Sequence, residues 1–129
     1  MSLRALLAWL WTLVIFGLCW LPGFFLPKQE RLPKSIFIPN FDKLVHFGIF
    51  AIFAFLWLRV IPGNRRGFKV FLAGLAVAVI SELGQNTSLV KRDGNAADTL
   101  ADMIGVLLGL LAFFMVKRLA ARPTIQPEV

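Results

Sequence analysis

From Ala5 to Leu26 the chain runs 22 residues without a charge. A helix rises about 1.5 Å per residue, so such a stretch covers a hydrocarbon core about 30 Å thick. Three further apolar segments follow. Leu44 to Leu58 is broken only by His46, Phe68 to Leu83 carries Lys69 and Glu82 near its ends, and Leu100 to Val116 has Asp102 inside its start. An apolar share of 58% and a mean hydropathy of +0.76 exceed what a soluble domain of this length carries. The expected fold is one all-α membrane domain over residues 1–129, an antiparallel up-down bundle of four transmembrane helices at about 5–26, 41–60, 68–84 and 99–117. Outer loops then fall at 27–40 and 86–97, with a cytoplasmic tail at 118–129. The first segment is the most secure span. Arg4 before an apolar run also suits a signal peptide, but "LCWLPGFF" lacks a small-x-small cleavage site, so the segment is expected to be retained.

The other three segments have uncharged cores of 15 residues or fewer, below the roughly 17 to 25 that a full span needs. Each is completed only by admitting polar residues at its end. Lys69 and Arg59 have stems long enough to carry their charge to the interface, whereas Glu82 and Asp102 do not. Four crossings put both termini on one side. Arg4, Arg59, Arg65, Arg66, Lys69, Lys117, Arg118 and Arg122 make 8 basic residues there, leaving 6 of the 14 on the other. The positive-inside rule makes the termini cytoplasmic. Glu30, Asp42, Glu82, Asp93, Asp98 and Asp102 then fall outside and only Glu128 inside, so the net charge of +7 lies on the cytoplasmic face. No basic stripe with interleaved aromatics lies outside the apolar segments, so nucleic acid is not an expected partner. Cys19 is the one cysteine, which rules out an internal disulfide or a thiolate metal cluster. Pro33 and Pro39 oppose a regular helix before Asn40, a candidate N-cap for the second span. "PGNRRG" predicts the turn of a helical hairpin between spans two and three.

Polar residues from three helices converge at the outer end. Asp42 and His46 are four apart and Lys43 and His46 three apart, so all three can share a face. Glu82 and Gln85 have the same relation on the third helix, and Asp98 and Asp102 on the fourth, where Gly105 and Gly109 continue the stripe. The two glycines allow a neighbouring helix to approach closely, and the same face is available for a homo-oligomer. Asp102 is expected to point towards Lys43 or Arg92.

The pieces "FDKLVHFGIF", "SELGQ" and "RDGNAADTLADMIGVLLG" resemble the VanZ-like family of membrane proteins over roughly Asp42 to Gly109. The family pattern has Asp-Lys and His-Phe opening one helix, Glu-x-x-Gln ending the next, and an Arg loop leading to Asp-x-x-x-Asn-x-x-Gly. This chain departs from it with Asp102 at the usual Asn and Phe50 where Tyr is common. The resemblance implies a bacterial inner-membrane protein connected with the cell envelope and teicoplanin-type resistance.

Several readings stay open at this level. One is a binding site for an anionic lipid, an envelope precursor or a glycopeptide-type ligand, built from Asp42, Lys43, His46, Glu82, Gln85, Arg92, Asp98 and Asp102. Another is an enzyme acting on a lipid head group, with His46, Glu82 and Asp98 as acid/base candidates. A third is a polar network that only orients the bundle, and a fourth is proton-coupled transport. No cofactor is expected. Asp98, Asp102, Glu82 and His46 are a conceivable ligand set for a divalent cation, but no metal motif supports it.

Overall fold

The computed structural model describes residues 1–22, 41–87 and 96–121. They form four helices and, among the described residues, no strand: α1 (Leu3–Cys19), α2 (Phe41–Leu58), α3 (Arg66–Gln85) and α4 (Ala96–Ala120). The last three are long and apolar enough to cross a membrane, while α1 is apolar but shorter. Sequence made the first span the longest, whereas α1 is the shortest of the four helices, and the reasons are local. Ser2 caps α1 by accepting from the Ala5 amide at 3.2 Å. The helix stops at Cys19 because Pro22 disfavours helical geometry at Leu21 and lacks an amide to continue the ladder. The remainder of that expected span, 23–26, lies outside the described residues, as does the expected cap Asn40. The later helices exceed their uncharged cores because the polar residues are helical: Asp42, Lys43 and His46 lie within α2, Glu82 and Gln85 within α3, and Asp98 and Asp102 within α4.

The "PGNRRG" turn forms where expected. The end of α2 tightens as the Arg59 amide donates to the Leu56 carbonyl and the Val60 amide to that of Trp57. Gly63 then takes φ 97°, a left-handed conformation that a side chain would strain, and α3 starts at Arg66.

Side-chain pairings give the helix directions. His46 meets Asp102, Gly105 sits on the Phe47 carbonyl, Gly109 on that of Ala51, and the Phe55 and Phe113 rings lie 5.7 Å apart. Numbers rise together along both chains, so α2 and α4 run in the same direction; theirs is the most extensive helix–helix contact among the described residues. Gly67 faces Phe114 and Gly74 faces Val106, so α3 runs against α4. The Trp11 indole donates to the Ile49 carbonyl at 2.9 Å and that of Trp57 to Thr12 Oγ1 at 3.1 Å, fastening α1 to α2.

The core is a cluster around Ile15, Phe50, Phe53, Leu58, Val70, Ala78 and Val106. Outside it, α3 exposes Leu72, Leu75, Val79, Ile80 and Leu83, and α4 exposes Leu107, Leu108, Leu111 and Met115. A water-soluble monomer does not leave apolar surface of that extent uncovered. Lipid tails are the solvent that suits it, and the chain is accordingly a membrane protein.

Candidate functional site

The shared direction of α2 and α4 turns two local spacings into a ladder. Lys43 and His46 are three apart on α2, Asp98 and Asp102 four apart on α4, and the helices are in step. Lys43 Nζ lies 3.4 Å from Asp98 Oδ1 and 3.5 Å from Asp42 Oδ2. One turn deeper, His46 Nδ1 and Asp102 Oδ1 are 2.9 Å apart. Side-chain exposure falls steadily through the set, from 52% at Asp42 and 33% at Lys43 to 11% at Asp98, 6% at His46 and 0% at Asp102. The order of depth is thus a charged rim over a buried imidazole–carboxylate pair.

This arrangement corrects one expectation. Asp102 does meet the α2 polar face, but its partner is His46 rather than Lys43, whose ammonium is held at the rim between Asp42 and Asp98. Arg92, the other cation named for Asp102, lies outside the described residues. The opposition of α3 and α4, carried along from Gly74 and Val106, brings Glu82 and Gln85 to the level of Asp98. Gln85 is buried, and Glu82 is half-buried with Oε1 enclosed. Among the described residues no three His, Cys, Asp or Glu side chains come together as a metal-holding group.

Gly105 and Gly109 are what bring the ladder's uprights together. A Cβ at either position would run into an α2 carbonyl oxygen, so only a hydrogen there permits the approach. Both glycines are buried against α2 of the same chain.

Three residues of this end escaped the sequence reading. Ser81 is buried and donates from Oγ to the Ala78 carbonyl at 2.8 Å. Trp20 donates its indole N–H to the Ser81 carbonyl at 3.3 Å, and Gly84 leaves the space that its ring occupies. The available signal was the small residue on either side of Glu82-Leu83, together with a tryptophan at the end of an apolar run, where indoles commonly seat at a membrane interface.

Chemically, His46 Nδ1 and Asp102 Oδ1 share a hydrogen bond that fixes the ring; with the carboxylate ionised, Nδ1–H is the donor and the basic lone pair of a neutral imidazole falls on Nε2. The Lys43 ammonium neutralises Asp98 by proximity without a hydrogen bond to Oδ1. Asp98 Oδ1, Asp102 Oδ2 and Gln85 Nε2 are all buried with no hydrogen-bond partner among the described residues. No protein-family model, curated protein or solved structure matches the chain.

Proposed function

We propose that the chain is a VanZ-like, four-crossing protein of the bacterial inner membrane, with cytoplasmic termini, that binds the polar head of a lipid-linked cell-envelope precursor in the outer leaflet. The observation that carries the proposal is the group of buried polar atoms at and beneath the charged rim with no hydrogen-bond partner among the described residues: two carboxylate acceptors, on Asp98, whose Oδ1 is ion-paired with Lys43 at 3.4 Å, and on Asp102, and one amide donor, on Gln85. Buried polar atoms in native proteins are nearly always met by a protein group, a water or a ligand. Acceptors in excess over donors suit a head group rich in hydroxyls or amines. Among the described residues Asp42, Glu82, Asp98 and Asp102 outnumber Lys43 at this end. A sugar- or amine-bearing head therefore fits better than the bare anionic phospholipid that the sequence allowed. The phosphate linking such a head to its lipid belongs at the rim with Lys43 and, from residues outside those described, Arg92. A protein that holds the precursor would reduce what a glycopeptide-type drug can reach, which would connect the chain to teicoplanin-type resistance.

A second reading is favoured by the 2.9 Å contact between His46 and Asp102. A carboxylate that orients an imidazole prepares it as a general base, so an enzyme acting on the same head group would use His46, with Asp102 as its positioning residue.

Native mass spectrometry of wild type, Asp102→Leu and Gln85→Leu, purified in mild detergent, tests the binding reading. The expected result is a lipid-linked saccharide mass on wild type that is lost from both variants. Adding a polyprenyl-diphosphate-linked sugar should raise the melting temperature of wild type alone. Phospholipid bound equally by all three would overturn the proposal. Turnover of the added sugar lipid that His46→Ala abolishes would select the enzyme. A stable protein with neither binding nor turnover would leave the ladder as internal scaffolding.

A further inference from the structure

The other end of the helices carries the reverse chemistry. Where α1 and α3 begin and α2 and α4 end, the described residues include Arg4, Arg59, Arg66 and Lys117 and no Asp or Glu. Arg66 is central. Its guanidinium carbon lies 4.8 Å from the Phe113 ring centroid and 5.5 Å from that of Phe114. Contact with two aromatic rings fixes a side chain that would otherwise lose much rotamer freedom on binding. A cleft opens on each side of it. One, of about 460 Å³, is bounded by Asn64, Arg66, Phe114 and Lys117. The other, of about 370 Å³, is bounded by Arg4, Arg59, Arg66 and Phe113, with Leu58 and Ile61 in its wall. All the ion pairs among the described residues lie at the opposite end, so among those residues these cations have no carboxylate partner.

We infer that this end is a binding site for an anionic phospholipid carrying two phosphates, one seated in each cleft, with Arg66 shared between them. Charge alone would suit any anion, and the walls decide the class. Phe113, Phe114, Leu58 and Ile61 give a free phosphate ion nothing, but they receive the glycerol and upper acyl segments of a lipid whose phosphates reach the cations. Basic pockets between membrane helices hold multiply phosphorylated head groups for this reason. The guanidinium also presents a planar fork that bonds phosphate oxygens two at a time. Two clefts that share one arginine, each with cations of its own, match two phosphates on one short linker. The site shares no residue with the one formed by His46 and Asp102.

The test is lipid titration of the detergent-purified full chain by native mass spectrometry, with a diphosphatidylglycerol, phosphatidylglycerol, phosphatidylcholine and inorganic phosphate as probes. The two-phosphate lipid should bind at the lowest concentration, phosphatidylglycerol more weakly and phosphatidylcholine not measurably. Arg66→Gln and Lys117→Gln should each weaken the two-phosphate lipid by about fivefold, the worth of one cation near an anionic head group. Arg65→Gln, at an exposed position bounding neither cleft, should leave it unchanged. If Arg66→Gln does not fold, Lys117→Gln with Arg4→Gln carries the same measurement. Equal binding of one- and two-phosphate lipids, inorganic phosphate competing at similar concentration, or Arg65→Gln acting as strongly as the cleft variants would each overturn the inference. His46 and Asp102 variants should not alter this titration, so its failure and failure of the precursor site are read separately.

Discussion

Asp102 is the residue at which the sequence is least self-explanatory: a carboxylate in an apolar helix, fully buried. Its contact with His46 supplies the reason, since an imidazole N–H satisfies one oxygen where a lipid-facing Asp would cost about 2.5 to 3.5 kcal/mol. Asp102→Asn keeps a carbonyl acceptor for Nδ1–H and is expected to fold with most of its ligand binding intact. Asp102→Leu removes the acceptor and leaves a buried donor open, a loss of about 1 to 3 kcal/mol. Thermal unfolding of the two variants side by side checks this, and equal melting temperatures would mean that the pair contributes nothing. The spacing of Asp98 and Asp102, and of Asp42 and His46, was legible because a helix of known pitch puts residues four apart on one face. Which rung faces which was not legible. That depends on the offset between two helices distant in sequence, and a shift of one turn would have paired Asp102 with another residue.

The offset is fixed by an element-scale device, the contact of Gly105 and Gly109 with the α2 backbone. The sequence showed that a helix could approach there but not which helix would. Gly105→Ala and Gly109→Ala push a methyl group against a carbonyl that belongs to a helix and cannot swing aside. Each should cost about 1 to 3 kcal/mol, the usual range for overpacking. If the glycines hold the ladder in register, the cost of Asp102→Leu should shrink in the Gly105→Ala background, and a double-mutant cycle measures that directly. Gly17 and Gly48 have no atom within 4 Å of an added Cβ. Gly17→Ala and Gly48→Ala should therefore stabilise by about 0.5 to 1 kcal/mol through helix propensity alone. A destabilising Gly48→Ala would show that α2 is held by more than the α4 contact. Helix extents were legible only to within a few residues, since an apolar count ends at the first polar side chain while the backbone ladder continues through it, as α4 does through Asp98 and Asp102.

At the scale of the whole molecule, the described acids gather at one end, and the cations at the other have no ion pair among the described residues, a separation that hydropathy and charge made visible before any coordinates. For the four-crossing proposal, reporter fusions at residues 64 and 129 should both give cytoplasmic signals and a fusion at residue 94 an external one. A cytoplasmic signal at residue 94 would reject the orientation together with the number of crossings. The number of helices was legible because each needs an apolar run. Their lengths were not, because Pro22 ends α1 well before its apolar composition does. That early stop bears on the membrane itself. At 17 residues α1 rises only about 26 Å, while α4, at 25 residues, exceeds the hydrocarbon thickness. If α1 crosses as proposed, one short wall and one long wall make the bundle a wedge to the surrounding lipid, which would have to thin on one flank while α4 tilts on the other. In the four-crossing arrangement the protein would favour thin bilayers, and its melting temperature in vesicles should fall as the acyl chains lengthen. A melting temperature that rises with chain length would mean that α1 does not cross.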